Sequence, residues 1–265
     1  MKLFDRVVEI TVGDTEITGL DTAFEIEKNL EKEPNPCHID IFNLGAKNRE
    51  ILSKYKRVPV LIKAGYKGNV GVIFQGDMIR CTHAKEGPTW KSTLVNGDGA
   101  KLIQTARINK SFAKGTPVKT VIREIAEQLG LPHASAMKQL EWLGENLERG
   151  FAASGNPMDE LCRILHQFGY GASVQNNTLQ ILKQGKSLEK QTINLTAHSG
   201  LKASPEIGTD KKIKVQSVLM PELLPGQMIH IDSRVFKGFA TIQSVRFEGS
   251  NFGDAWDAEM ECKIS

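Results

Sequence analysis

Two prolines and a glycine between two alternating segments place the strongest constraint on the fold of this chain. Residues Lys212–Leu219 alternate between polar and apolar side chains, which predicts a half-buried strand, and Met228–Asp232 predicts a second strand. Between them, Pro221, Pro225 and Gly226 can neither continue a helix nor lie in the middle of a sheet. The pattern predicts a strand, a corner and a returning strand, as found in a small β-barrel or sandwich.

Residues 1–104 show the same kind of pattern at regular spacing. A short helical segment, Ala46–Tyr55, interrupts the series. Many short strands with turn residues between them favour a barrel or a sandwich, so we predict a first β-barrel domain over residues 1–104. Its predicted strands are Arg6–Val12, Thr22–Lys28, Cys37–Leu44, Pro59–Tyr66, Val70–Ile79 and Trp90–Val95.

In residues 105–185 the apolar residues recur at helical spacing before a hairpin pattern, which predicts an α+β middle domain. Apolar residues at helical spacing predict a helix over Val118–Leu129, with Thr116 as its N-cap, Pro117 in its first turn and Gly130 at its end. A second helix is predicted to begin at Asn156–Pro157. A hairpin follows, because Asn176 and Asn177 tolerate the positive φ angles of a tight turn.

Strands return over residues 186–265, where we predict a second β-barrel domain. Its clearest strands are Gly238–Gly249 and Ala258–Ile264. No repeat of residue types is visible between the two β segments. The predicted fold class is therefore mainly β, with two small β-barrels flanking an α+β insert.

Composition narrows the choice of compartment and ligand. The 265 residues carry a net charge of +3 that is spread evenly, so no segment has the basic footprint of a duplex-binding domain. Cys37, Cys81, Cys162 and Cys262 lie far apart, which predicts buried, reduced thiols. There is no membrane-length apolar run, and the start lacks the apolar core of a signal peptide, so we expect synthesis in a cytosol.

Two cysteine–histidine pairs are the nearest approach to a metal site. Cys81 and His83 would share a strand face, and Cys162 and His166 would share a helix face. Thiolate and imidazole bind zinc, but neither pair has a second pair at suitable spacing. We therefore expect ordinary packing and no metal.

Other motifs also favour a structural role. Ser111–Lys114 matches SxxK without the accompanying motifs of that hydrolase class. Asn96–Ala100 is rich in glycine but lacks a phosphate-binding frame. The tryptophans predict core packing or interface anchoring, and the carboxylates predict solvated faces. We expect no enzyme and no catalytic or cofactor-binding residue. The residues concerned are Trp90, Trp142 and Trp256, and Glu25, Glu27, Glu31, Glu33, Glu141, Glu145 and Glu148.

In this order, the segments resemble the baseplate hub proteins of tailed bacteriophages and related contractile injection systems, including the phage Mu-like hub and late-control protein D families. The resemblance extends over most of the chain, although the chain lacks the fused lysozyme and extended C-terminal region of larger hubs. It rests on Cys37–Leu44, Val60–Tyr66, Val72–Gly76, Ala106–Phe112, Gly115–Pro117, Leu165–Tyr170, Gly200–Leu201, Ser204–Glu206 and Leu219–Gly226.

The resemblance implies a structural component of the virion tail, synthesised in the host cytoplasm. Hubs of this kind are homotrimers in which each chain contributes two tail-tube-like barrels, so that a pseudo-six-fold ring joins the hexameric tail tube to the trimeric central spike. The implied partners are the tube protein, the spike protein, other baseplate proteins and the tape measure, with DNA passing only in transit. A tail-associated cell-wall hydrolase with an unrecognised active site stays open as the alternative, and a spike-like effector carrier is the third class.

Overall fold

The computed structural model describes residues 5–188 and 190–265, and it confirms a mainly β chain. The chain divides into two compact units. The first contains the described residues up to Asn29, then Asn35–Asp98, and those from Leu188 to the end. The second contains Leu30–Pro34 and Gly99–Ser187. The strands on both sides of the middle segment therefore belong to one unit.

The first unit begins with seven strands and a helix, which match most of the predicted elements. Residues 1–4, part of the start that lacks a signal peptide's apolar core, lie outside the described residues. The elements are β1 (Arg6–Val12), β2 (Thr15–Ile17), β3 (Thr22–Asn29), β4 (Pro36–Phe42), α1 (Ala46–Lys54), β5 (Pro59–Tyr66), β6 (Asn69–Glu86) and β7 (Thr89–Gly97).

Six further strands complete this unit after the middle segment. They are β12 (Ile193–Thr196), β13 (Glu206–Ile207), β14 (Lys212–Val218), β15 (Met228–Asp232), β16 (Lys237–Ser250) and β17 (Trp256–Ile264). Alternate residues of β14 and β17 are buried, as the period-two pattern predicts. Their inward side chains join those of β1 and β3 in one apolar core.

All these strands form one 13-stranded sheet. Its main order is β13-β14-β17-β16-β3-β4-β7-β6-β5-β1-β2, with β15 on β16 and β12 on β15. The described strand pairs do not close this order into a ring, and the barrel geometry stays a prediction.

The sheet contains the same strand arrangement twice. Strands β4, β5, β6 and β7 lie in the order β4-β7-β6-β5, and β14, β15, β16 and β17 lie in the order β14-β17-β16-β15. In each group, three strands follow one another and the remaining strand lies beside the last, which is a Greek key. We refer to them as the first key and the second key. Their architecture repeats although their residues do not.

The corner predicted from the prolines is the long connection of the second key. Strands β14 and β15 flank it but do not pair with each other, so the expected returning strand lies elsewhere in the sheet. Leu223 is fully buried beneath the corner. At its exit, the Gly226 N–H donates to the Ile242 carbonyl at 2.7 Å, and Gly226 has a φ of 87°. A backbone in this left-handed region favours glycine.

The second unit holds the predicted helices and hairpin around its own apolar core. The second helix begins where predicted, and Asn156 caps it, with its Oδ1 accepting from the Met158 N–H at 2.9 Å. The N-cap prediction for Thr116 is wrong, because its hydroxyl donates to the Ala113 carbonyl instead. The elements are α2 (Ala100–Thr105), β8 (Ile108–Phe112), α3 (Val118–Leu129), α4 (Ala134–Lys138), β9 (Phe151–Gly155), α5 (Pro157–Gln167), β10 (Tyr170–Gln175) and β11 (Thr178–Lys183).

Replacing Gly226 tests the corner. We expect Gly226→Ala to lower the free energy of unfolding by about 1–2 kcal/mol, because a Cβ is strained at this φ. Gly171→Ala on β10 is the matched control, since Gly171 lies outside the left-handed region and has open space around its Cβ position. Urea unfolding of both variants makes the measurement, and equal stabilities would contradict this account of the corner.

Candidate assembly surface

The junction between the two keys joins strands that lie more than two hundred residues apart in the sequence. Strand β16 of the second key pairs antiparallel with β3, which lies beside the first key. The register runs from Ser244 opposite Asn29 to Ser250 opposite Ala23. Backbone hydrogen bonds therefore continue from one key into the other, and neither strand leaves this edge open to solvent.

An aromatic cluster fills the inner face of the junction. Trp256 of the second key is 2% exposed, and its ring meets Phe24 edge-on at 5.8 Å and Tyr66 at 6.1 Å. Gly249 lies directly opposite Phe24 in the ladder. A Cβ on Gly249 would come within 2.3 Å of the Phe24 ring, so only glycine leaves room for it.

Arg6 holds the turn between β16 and β17. Its guanidinium donates to the carbonyls of Ser250 at 2.9 Å and Asp254 at 3.1 Å, and also to that of Gly253. It lies over the Trp256 ring at 5.3 Å from the ring centre, which adds a cation–π contact. A residue of β1 therefore binds a turn more than two hundred residues away in the sequence.

A buried lysine lies in the junction strand β3. Lys28 is 1% exposed, and burial lowers its pKa to about 8, while attraction to Asp98 works in the opposite direction. Burial also raises the pKa of the Cys37 thiol far above its ordinary value. The charge of Lys28 therefore makes a pH-dependent contribution to the stability of the first unit.

Each key carries a β-bulge at the same place. In β6, Ile79 is the extra residue against β7, two residues past Asp77, where pairing with β5 ends. In β16, Gln243 is the extra residue against β17, two residues past Thr241, where pairing with β15 ends. A bulge bends its strand and increases the local twist. The two long strands are therefore equivalent.

Beyond the bulge, the two long strands differ in one respect. The β16 segment that begins at Ser244 pairs with β17 on one side and β3 on the other. The corresponding β6 segment, Arg80–Glu86, pairs with β7 only, among the residues that the structure describes. A second edge lies at β13, the first strand in the sheet order, which pairs only with β14 among the described residues. Both edges therefore offer backbone groups to another strand.

The two cysteine–histidine pairs lie on different elements, β6 and α5. Cys81 Sγ lies 3.7 Å from His83 Nε2, and His83 Nδ1 lies 2.8 Å from Ser92 Oγ, so the first pair does share a face. Cys162 is partly buried on α5, and burial raises its pKa to about 11. Among residues 5–188 and 190–265, no three His, Cys, Asp or Glu side chains come close enough to hold a metal ion.

The hydrolase-like and glycine-rich motifs lie on different elements. Ser111 is exposed on β8, and Lys114 is exposed in the turn that follows. Asn96 turns into the core, where its amide donates to the Cys37 carbonyl at 3.2 Å. Gly99 adopts a φ of 62° ahead of the short helix α2, which explains the glycine there as a turn residue.

The candidate carboxylates lie on solvated faces, as predicted. Glu25 is partly exposed and pairs with Arg246 across the junction at 2.7 Å. The other members of the set are exposed. Among the tryptophans, Trp90 stacks under Arg49, at 4.1 Å, whereas Trp142 is 91% exposed in the second unit, which excludes a core role for it. No helix of the described residues has the length and apolarity needed to cross a membrane.

A family model described as "Baseplate hub gp41" matches residues 6–241. The match includes the junction strand β3, the first key, the second unit and the β15 and corner region of the second key. The chain belongs to the baseplate hub gp41 family. This assigns the protein to the structural components of phage tails. A comparison with curated proteins finds no match.

Solved structures share the fold of this hub chain. The 43 kDa tail protein of prophage MuSo2 from Shewanella oneidensis is 10% identical, with a TM-score of 0.69 over 98% of this chain and 97% of that one. A tail protein from Neisseria meningitidis MC58 is 12% identical, with a TM-score of 0.69 over 99% and 97%. An E. coli component of the type VI secretion system is 10% identical, with a TM-score of 0.62 over 97% and 76%.

The junction can be tested through Gly249. We expect Gly249→Val to lower the free energy of unfolding by about 3 kcal/mol, because the new side chain overlaps the Phe24 ring. Gly171→Val on β10 is the matched control, since nothing lies within 4 Å of its Cβ position. Denaturant unfolding of both hub variants, followed by Trp fluorescence, distinguishes them. If Gly249→Val lowered the free energy of unfolding no more than Gly171→Val does, the junction would have room for the new side chain.

The buried lysine predicts a pH effect. An unfolded lysine keeps its proton up to about pH 10.4, whereas folded Lys28 loses it near pH 8. Between these values the unfolded chain binds more protons, so the free energy of unfolding gains from Lys28 as the pH rises. We expect the free energy of unfolding of the wild-type hub, measured relative to that of Lys28→Met, to rise by roughly 2 kcal/mol from pH 8 to pH 10. Urea unfolding of both proteins at the two pH values makes the measurement. A difference that is constant with pH would contradict the buried charge.

Proposed function

We propose that this hub chain forms a homotrimeric ring that joins the hexameric tail tube to the trimeric central spike. The observation that carries the proposal is the repeated Greek key, with the same bulge in both copies and a continuous ladder between them. Each key then corresponds to one tube-like barrel, over residues 1–104 and 186–265, and residues 105–185 form the middle domain.

The repeat offers a physical solution to a symmetry mismatch. Three copies of a chain with two equivalent keys present six similar units to a six-fold tube, while the chain itself keeps three-fold symmetry for a spike. A ring closes only when a repeated head-to-tail contact has a fixed rotation. The junction between the keys would supply that rotation within each chain, and a similar contact between chains would repeat it.

The remaining partners follow from the same position in the tail. Other baseplate proteins and the tape measure would contact the outer and inner surfaces, and DNA would pass through the ring without specific binding, in keeping with a net charge of only +3. The hub would be synthesised in the host cytoplasm and would act in the virion. Its role is structural and non-enzymatic, in keeping with the solvent-exposed positions of Ser111, Lys114 and most of the candidate carboxylates.

Cryo-electron microscopy of the hub with tube and spike proteins tests the proposal directly. We expect one ring of three chains between the tube and the spike. A hub that stays monomeric in light scattering, even with both partners present, would overturn the proposal. A turbidity assay on peptidoglycan tests the structural role separately, and clear lysis there would favour the hydrolase alternative.

The corner of the second key predicts an assembly defect. Deleting Pro221–Gly226 removes the buried Leu223 and the Gly226 hydrogen bond that guide the chain from β14 to β15. We expect this deletion to abolish ring assembly with tube and spike, measured by light scattering and negative-stain microscopy. Pro225→Ala is the mild control, because the flanking strands and the glycine remain. Normal rings from the deletion variant would show that the corner is dispensable.

A further inference from the structure

We propose that the open edge of β6 in one hub chain pairs with the open edge at β13 in the next chain. The pairing is antiparallel and places His83 of one chain opposite Ile207 of its neighbour, with Thr82–Lys85 along Pro205–Gly208. The partner is therefore a second copy of this chain. The inference rests on the proposed ring, and it adds the strands and the register through which the ring closes.

The first equivalence behind this register is a row of paired residues across each key. In the first key, the row starts beside the bulge at Met78 and passes through Asn96 and Cys37 to Ile26 of β3. In the second key, it starts beside the bulge at Ile242 and ends at the edge strand β13. Its members are Ile242, Cys262, Ile213 and Ile207. Ile207 therefore occupies the place in the second key that Ile26 occupies beside the first.

The second equivalence lies along the two long strands. Phe247 lies four residues after Gln243, the bulge residue of β16. His83 likewise lies four residues after Ile79, the bulge residue of β6. Within the chain, Phe247 pairs with Ile26. Repeating this contact between chains places His83 of one chain opposite Ile207 of the next. The in-chain junction is thus the template for the contact between chains.

Burial of these side chains agrees with a missing neighbour. Phe247 and Ile26 are fully buried where the junction covers them. Their counterparts are not, because His83 is only partly buried and Ile207 is 54% exposed. Ile79, at the bulge of β6, is also 54% exposed. Pairing of the two edges would remove this apolar surface from water, which favours association.

The backbone of β13 is oriented for the contact. The Gly208 N–H donates to the Lys212 carbonyl of β14 at 2.9 Å, so it faces into the chain's own sheet. Backbone groups of successive residues in a strand point to opposite sides. The Ile207 N–H therefore points outward, toward the proposed neighbour. Pro205 has no N–H to offer, and the ladder is expected to end there.

Charge is complementary across the two segments. Arg80–Glu86 contains Arg80, Lys85 and one glutamate, whereas Ser204–Asp210 contains two acidic residues and no basic one. The register brings Arg80 toward Asp210, which lies in the turn after β13 with a φ of 56°. Opposite charges across a strand pair stabilise the pairing modestly and disfavour like pairing of two β6 edges.

Disulfide trapping tests the register. The register places Ala84 opposite Glu206 on the outer face, at a position without ladder hydrogen bonds, where Cβ atoms come closest. In a Cys81→Ser background, we expect Ala84→Cys with Glu206→Cys to give a covalent trimer on non-reducing gels after mild oxidation. Lys85→Cys with Glu206→Cys is the matched control, because it is one residue out of register and points to the opposite face, and it should stay uncrosslinked.

Each other outcome has a definite meaning. A hub that is trimeric in light scattering but does not crosslink at positions 84 and 206 would overturn this pairing and leave the ring standing. Covalent dimers from Ala84→Cys alone would assign the β6 edge to a two-fold contact, and crosslinks to the tube protein would assign it to that partner; either result overturns the inference. A chain that stays monomeric with tube and spike overturns the proposed function as well.

A second pair of variants tests the backbone contact without cysteines. Ile207→Pro removes both the side chain and the outward N–H, whereas Ile207→Ala removes only the side chain. Since the Ile207 N–H faces away from β14, both variants should fold alike, which matching urea midpoints would establish. We expect Ile207→Pro to weaken trimer formation more than tenfold and Ile207→Ala distinctly less. Equal trimer formation by the two variants would contradict a ladder at this edge.

Discussion

The pairing of β3 with β16 is the interaction on which the rest of the first unit depends. It converts two Greek keys, separated in the sequence by the whole second unit, into one sheet with one apolar core. Without it, the Phe24–Trp256–Tyr66 cluster would lose its central contact, and two long strand edges would face water. Arg6 reinforces the same contact from β1. The hub core is thus organised around a ladder between its two halves.

Local patterns predicted the elements well, for reasons that lie in the residues themselves. The alternation of Pro59–Tyr66 defines β5 to the residue. Asn176 and Asn177 form the predicted turn between β10 and β11, with φ angles of 51° and 58°. Gly130 ends α3 in the left-handed conformation expected of it. Each of these features depends on residues that are adjacent in the chain, so it can be predicted from the sequence. The two-residue strand β13 is too short for any period to be read.

Partners across the sheet were beyond the sequence, because alternation tells which side chains face inward and not which strand lies alongside. The repeat was hidden for the same reason. Equivalent positions share burial but not residue type, as Cys37 with Ile213 and Asn96 with Cys262 show. The sequence patterns did not predict the candidate assembly surface, although two of its residues were noted for another reason. Cys81 and His83 were candidate metal ligands by their spacing. In the structure they lie on the β6 segment that pairs only with β7 among the described residues.

The separation of β3 from β16 along the chain has a consequence for folding. Loop closure over more than two hundred residues is slow, and sheets built from such distant contacts form late. During synthesis, β3 is complete long before β16 leaves the ribosome, so its edge waits for a strand. The β16 of another nascent chain can pair with the same edge, so we expect domain swapping to be the main misassembly of this hub.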